Sequence, residues 1–386
     1  MIEAEIDHEE GLYYRQTLFD KARRVVVKVG SAILTSENGL NNEVIGNLAR
    51  EISFLHDSGR EVILVSSGAV SAGKRKIKVS DDRELTIRQK QALAAVGQSR
   101  LMHDYDEAFG QHGKNIAQIL LTHSDLANRR RYLNVRNTIL ALFRYGVIPV
   151  INENDTVSTE ELKFSDNDNL GALVANLIEA DMFICLTDVD ALYDRNPLSD
   201  SRAKPIYTVT KVTKEIEAMA GNSKSVLGTG GMQSKINAAK MVSAGGGCSF
   251  IGPGRQKDVL QNLFSGEMIG TFFLPRHEKM QSRKRWIAYV LKPHGQLILD
   301  DGACNAICQK GKSLLPSGLV AVEGEFGEGE SVQCLNLQRE PIAVGLVNFN
   351  SENLFKIKGM RTSEISKVLG YKANDEVMHR DNMVVL

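Results

Sequence analysis

The residues best equipped for chemistry sit where short apolar runs end. Val27-Lys28-Val29-Gly30 closes the first run with a lysine and a glycine. A lysine in a buried strand is costly unless it meets an anion. A second lysine, Lys235, closes Gly228-Thr229-Gly230-Gly231-Met232-Gln233-Ser234-Lys235. There, glycines let the backbone wrap an anion, and the helix that follows points its positive end at it. Read alone, that loop is also consistent with a glycine-rich turn carrying a surface lysine. Val65-Ser66-Ser67-Gly68-Ala69 is a small-residue turn whose N–H groups suit phosphate or carboxylate oxygens. Two acid-amide clusters, Asn152-Glu153-Asn154-Asp155 and Asp166-Asn167-Asp168-Asn169, and the pair Thr187-Asp188 complete the set. Asp166 or Asn167 in isolation would read as a helix cap, which does not account for both clusters.

Two lysines, two glycine-rich turns and several acids neutralise and position polyphosphate, which is most of what phosphoryl transfer asks of a protein. A dehydrogenase is disfavoured, because no G-x-G-x-x-G follows the first apolar run. No Ser, Cys or His is set up as a nucleophile or base, so an acceptor already ionised at neutral pH is attractive; a carboxylate, with pKa near ~4.3, needs no base. Gly311-Lys312-Ser313 lacks the glycine spacing of a P-loop and reads as a turn, and the histidines form no metal-ligand pair.

The elements that must position these residues alternate between short Val- and Ile-rich runs and amphipathic stretches. Strands are predicted at 24–29, 61–65, 115–121, 147–151, 182–186 and 249–251, and helices at 42–56, 85–109, 129–145, 169–179 and 233–244. This is the grammar of an α/β fold with a doubly wound, mostly parallel sheet, whose ligands sit beyond the carboxyl ends of the strands. From residue 276 the pattern changes to short strands at 296–299, 319–322, 332–337 and 342–349 with a helix near 362–369, the pattern of a small β-barrel-like module. The expected organisation is an acidic, solvated extension over 1–20, an α/β domain over 21–275, a linker over 276–292 and a β-rich domain over 293–386 with its core in 293–372.

Lys plus Arg equals Asp plus Glu at 47 each, so no global field draws the protein to nucleic acid or an anionic membrane. Five scattered cysteines without a C-x-x-C pair suggest reduced cytoplasmic thiols, and no apolar run approaches a membrane span.

Taken in order, Lys28-x-Gly30, Ser67-Gly68-Ala69, Asn152 to Asp155, Asp166 to Asn169, Thr187-Asp188 and Gly228 to Lys235 closely resemble the glutamate 5-kinases of the amino acid kinase fold. The tail, with Lys284-Arg285-Trp286 and Leu314 to Gly318, resembles the PUA domain that many of them carry. The resemblance implies ATP-dependent phosphorylation of the L-glutamate side-chain carboxylate, the first step of proline biosynthesis, with proline as inhibitor. It implies that Lys28 and Lys235 contact the transferring phosphate and that Asp168 orients them or a magnesium shell. Lys28, Thr187, Asp188 and Thr229 to Lys235 (Thr229, Gly230, Gly231, Met232, Gln233, Ser234) would hold ATP. Ser67, Gly68, Asn152, Asp155, Asp166 and Asn167 would hold glutamate. No residue is assigned as a metal ligand; Mg²⁺ is expected to ride mainly on the ATP phosphates. A homo-oligomer, dimer or tetramer, and hand-off of the product to glutamyl phosphate reductase are implied in the same way. Ser165, where the family commonly has glycine, is a departure that leaves the charges unchanged.

Two other readings stand beside this one. One is a different kinase of the same fold, acting on N-acetylglutamate, aspartate or a nucleotide. The other is an RNA-binding protein acting through the tail, which is disfavoured because residues 293–372 carry eight basic against nine acidic side chains.

Overall fold

A computed structural model describes residues 8–36, 39–79, 85–158, 166–197, 199–220, 231–276, 280–371 and 374–386. The chain divides into two compact units, residues 1–279 and 280–386.

The first unit is built on a sheet with strands β1 (Arg24–Val29), β2 (Glu61–Val65), β3 (Ile116–Leu121), β4 (Ile148–Glu153), β5 (Met182–Thr187), β6 (Thr208–Val209), β7 (Cys248–Pro253) and β8 (Thr271–Phe273). Their order across the sheet is β6-β8-β7-β5-β1-β2-β4-β3, and every pairing is parallel except β7 with β8. Strands β1, β2, β4 and β5 are continuous apolar runs because both faces are covered. Register sets Lys28 level with Val65 and Cys185, and Val65 level with Ile151. The strand ends that carry the motifs therefore open on one edge of the sheet.

The expected strands and helices are present with their ends moved by at most three residues. One correction concerns the N-terminal stretch. For residues 8–21 it is not a solvated extension but a helix, α1 (His8–Lys21), which buries Phe19 in the main core with Ile45, Leu64 and Phe250. Arg15 on the same helix is fully buried and stacks over Phe272. Its guanidinium donates to the carbonyls of Ile269 at 3.0 Å, of Glu267 and Gly270 at 3.4 Å, and of Tyr207. The helix thus fastens the edge formed by β6 and β8.

Helix α2 (Asn42–Asp57) presents Ile45, Leu48, Ile52 and Leu55 to this core. The small-residue turn after β2 leads into α3 (Ala69–Lys76), which packs on α4 (Ile87–Gly110). Glycines make that approach possible: a Cβ on Gly73 would lie 1.9 Å from the Leu93 carbonyl oxygen, and one on Gly97 would lie 1.8 Å from that of Ala69. Helices α5 (Arg129–Arg144), α6 (Asn167–Leu177) and α7 (Met232–Ala244) complete the covering layers, α6 and α7 packing on each other.

The second unit has its own sheet and core. Helix α8 (Ser282–Tyr289), within the stretch read as a linker, packs Ile287 with Val344 and Val384. Strands β9 (Gly295–Leu299), β10 (Leu319–Gly324), β11 (Ser331–Leu335), β12 (Pro341–Leu346) and β13 (Met383–Val385) lie in the order β10-β9-β11-β12-β13. Two helices that periodicity did not suggest, Asp301–Cys308 and Ser351–Ile357, contribute Ile307, Leu354 and Ile357 to the core.

Candidate active site

The site starts from β1, whose last turn outward would expose Lys28 were it not covered by α6. A Cβ on Gly171 of α6 would meet the Phe183 ring at 2.6 Å and the Lys28 Cβ at 3.4 Å. The glycine lets the helix lie close on β1 and β5, and this lowers Asp168, in its first turn, onto the lysine. Asp168 is fully buried and forms an ion pair with Lys28 through Oδ1. Its other oxygen, Oδ2, accepts from Lys235 Nζ at 3.0 Å and from Ser234 Oγ at 2.9 Å. Both lysines are buried as well, at 5% and 6% exposure.

One carboxylate thus holds two ammonium groups that arrive from opposite ends of the unit's sequence. Burial alone would raise the Asp168 pKa, but Lys28 and Lys235 override it and hold the group well below the usual carboxylate range. Burial alone would lower Lys28, and Asp168 overrides that too, keeping the ammonium charged well above its usual range. The buried Cys185 thiol, pushed up to about 12 chiefly by burial, stays protonated and donates to Asp168 Oδ1 at 3.3 Å. The trio carries a net positive charge, which is what a polyphosphate needs.

Asp166, two residues before Asp168, caps α6 by accepting from the Asn169 N–H at 2.8 Å. Burial, with the Asp168 carboxylate nearby, raises its pKa. Asn167 ties the neighbouring turn together: its Nδ2 donates to the Ser66 carbonyl at 2.8 Å, to Ser67 Oγ at 2.6 Å and to Asn152 Oδ1 at 3.1 Å. The ends of β2 and β4 and the start of α6 are joined through this one amide. Gly68 caps α3 with φ of 99°, a left-handed conformation that glycine adopts freely. Gly30 supports the lysine side, since a Cβ there would lie 3.6 Å from Lys28 Nζ.

The structure therefore brings Lys28, Asp168, Ser234 and Lys235 into one cluster and Ser67, Asn152 and Asn167 into another, with Asp168 and Asn167 adjacent on α6. The remaining predicted positions lie at the same strand and helix ends. Thr187 is buried at the end of β5 and donates to the exposed Asp188 at 3.0 Å. Asp155 is half-buried in the turn after β4. Gly231 caps α7, Met232 opens its first turn, and Gln233 faces its own helix by donating to Asn237 at 3.3 Å. Thr229 and Gly230 lie outside the described residues, as does Ser165.

Motif reading missed several members. Gln98 of α4 accepts from Asn152 Nδ2 at 2.9 Å, Cys185 touches Asp168, and Ser66 Oγ meets the buried Tyr105 hydroxyl at 2.9 Å. The one sequence signal for Gln98 is the preceding Gly97, since a glycine inside a helical run marks a close backbone approach.

Residues 23–251 match the amino acid kinase family model, and residues 295–369 match the PUA domain. Along nearly its whole length the chain is also similar to curated proteins named glutamate 5-kinase. The relative from Desulfotalea psychrophila is 62% identical across 96% of this chain and 99% of its own length. The chain belongs to the glutamate 5-kinase family. Glutamate 5-kinases from Syntrophus aciditrophicus and Geobacter sulfurreducens are 49% and 48% identical, again over 96% of this chain and over 96% and 100% of theirs. Lys28 at the end of β1 and Lys235 in the first turn of α7 both pair with Asp168, which the first turn of α6 carries.

Proposed function

We propose that the chain transfers the γ-phosphoryl group of ATP to the side-chain carboxylate of L-glutamate, giving L-glutamyl 5-phosphate and ADP. The observation that carries this reading is the buried Lys28–Asp168–Lys235 trio beside the Ser67–Asn152–Asn167 amide cluster. A transferring phosphoryl group spreads charge over its equatorial oxygens, and two fixed ammonium groups stabilise that charge with little reorganisation. Asp168 acts on the lysines: by holding both through separate oxygens, it sets their spacing before nucleotide arrives. The glutamate carboxylate needs no general base, because it is ionised at neutral pH.

Among the described residues no group of three or more His, Cys, Asp or Glu is placed to hold a metal ion. With both oxygens of Asp168 engaged by lysines, the donor set suits Mg²⁺ brought in on the ATP phosphates, where it would neutralise their charge. Thr187, Asp188 and residues 229–235 would take the nucleotide, and Ser67, Gly68, Asn152, Asp155, Asp166 and Asn167 the amino acid. The reading places the protein in the cytoplasm, in keeping with its free cysteines and with the lack, among the described residues, of a helix long and apolar enough to cross a membrane. Inhibition by proline, assembly as a dimer or tetramer and hand-off to a reductase belong to the same reading and rest on the family resemblance.

The test is turnover of purified protein with Mg-ATP and, separately, L-glutamate, N-acetylglutamate, L-aspartate and UMP, with hydroxylamine present to trap an acyl phosphate. Glutamate-dependent hydroxamate with matching ADP supports the proposal; turnover with another acceptor alone overturns it.

A further inference from the structure

The amide cluster has a direction, and that direction leaves one donor unused. The backbone N–H of Glu153 can only donate, and it donates to Asn152 Oδ1 at 2.9 Å. The Ser66 carbonyl can only accept, and it accepts from Asn167 Nδ2, which also reaches Asn152 Oδ1. Two fixed groups therefore agree that the Asn152 oxygen faces Glu153 and Asn167 and that its Nδ2 faces Gln98. Asn152 Nδ2 donates to Gln98 Oε1 at 2.9 Å, so Nε2 of Gln98 is the end left over. That nitrogen is buried and has no hydrogen-bond partner among the described residues. A covered N–H₂ group without an acceptor is costly in a folded protein, and such groups concentrate where a ligand completes them.

Its position indicates which part of a ligand it meets. Gln98 is anchored to Asn152 at the end of β4, and β4 lies two strands from β1, which carries Lys28. Strands are spaced by ~4.8 Å, so this end of the cluster is about 10 Å from the strand that carries the phosphate-binding lysine. The reacting carboxylate belongs at the lysines. An acceptor with a second, non-reacting carboxylate would direct that group toward the amides.

We propose that Gln98 is a substrate-positioning residue, its Nε2 donating to the α-carboxylate of the acceptor amino acid while Asn152 holds its oxygen. This rests on the reading of L-glutamate as acceptor. The backbone supports the placement: Gly97 seats α4 against the start of α3, so Gln98 is fixed relative to Ser67 and Gly68 rather than carried on a mobile loop.

The experiment is steady-state kinetics of the full chain and of Gln98→Leu and Gln98→Glu, varying glutamate and Mg-ATP separately, with melting temperatures recorded alongside. Leucine keeps the bulk and removes the donor; glutamate places a negative charge against the substrate carboxylate. The expected result is a glutamate KM at least ten-fold higher in Gln98→Leu and higher still in Gln98→Glu. In both variants kcat and the ATP KM should change by less than about three-fold and the melting temperature should hold. A glutamate KM within two-fold of the parent in both variants overturns the proposal, as a buried water in place of substrate would give. A parallel rise of both KM values with a lowered melting temperature also overturns it, because it marks a structural role. Absence of glutamate turnover in the unmodified chain is a separate result, which removes the acceptor reading and this inference with it.

Discussion

Lys235 Nζ lies 3.0 Å from Asp168 Oδ2, across a sequence separation of 67 residues, with both groups buried. An ion pair so covered adds little net stability, yet removing one member strands the other. Replacing Asp168 with Asn leaves Lys28 and Lys235 without the carboxylate they share. The expected outcome is a fall in kcat of ~10² or more and a loss of stability on the order of 3 kcal/mol. Lys235→Ala removes the charge while leaving Lys28 paired, so kcat should fall by ~10² with a smaller effect on melting. Comparing turnover with chemical denaturation for the two variants separates these effects.

The same trio predicts a pH profile. The Asp168 carboxyl is depressed, so its contribution to stability is present above the unfolded value of ~3.9 and is lost as pH falls through the folded one. Lys28 is raised, so its contribution is present below the unfolded value of ~10.4 and is lost as pH rises through the folded one. Between those limits neither Asp168 nor Lys28 titrates. The difference in melting temperature between the parent and Asp168→Asn should therefore be flat from pH 6 to 8 and narrow below about pH 4. A difference that changes steeply near pH 7 would contradict this assignment of charges.

Gly97→Ala should be damaging although alanine favours helices. Its Cβ would come 1.8 Å from the Ala69 carbonyl oxygen and 2.4 Å from the Gly73 nitrogen, both backbone atoms that cannot swing aside. Forcing the two helices apart is expected to cost about 1–3 kcal/mol and to raise the glutamate KM through the displaced Gly68 turn. Denaturant titration and kinetics on one preparation check both parts.

Arg15→Leu keeps an apolar stem but removes the guanidinium from the carbonyls of Ile269 and Gly270, while those of Tyr207 and Glu267 keep the N–H groups of Phe272 and Ile269. The expected loss of stability is about 1–3 kcal/mol, with kcat unaltered in the protein that remains folded. A variant that melts with the parent would show that α1 is dispensable to the core.

The central sheet was legible because strands buried on both faces write continuous Val and Ile runs, as in Val25 to Val29 and Met182 to Leu186. Strand β6 at the sheet edge and its neighbour β8, of two and three residues, are too short to carry a periodic signal. Helix α1 was hidden by its acids: Glu9, Glu10 and Asp20 dominate the composition, while the burial is decided by Arg15 and Phe19. In the site, residues at strand ends and helix starts, such as Lys28, Ser67, Asn152, Asn167 and Asp168, were legible from local spacing. Gln98 and Tyr105 were not, because each lies inside a long helix and gains its role from a partner 54 or 39 residues away.

The clasp between α1 and β8 also sets a clock on synthesis. Arg15 and the Gly270 carbonyl it reaches are 255 residues apart. At ~5–20 residues per second a ribosome needs roughly 13–50 s to make the second after the first. Through that interval Phe19 and the buried face of the helix have no finished surface to dock on, which makes the nascent chain, rather than the completed enzyme, the form most exposed to aggregation.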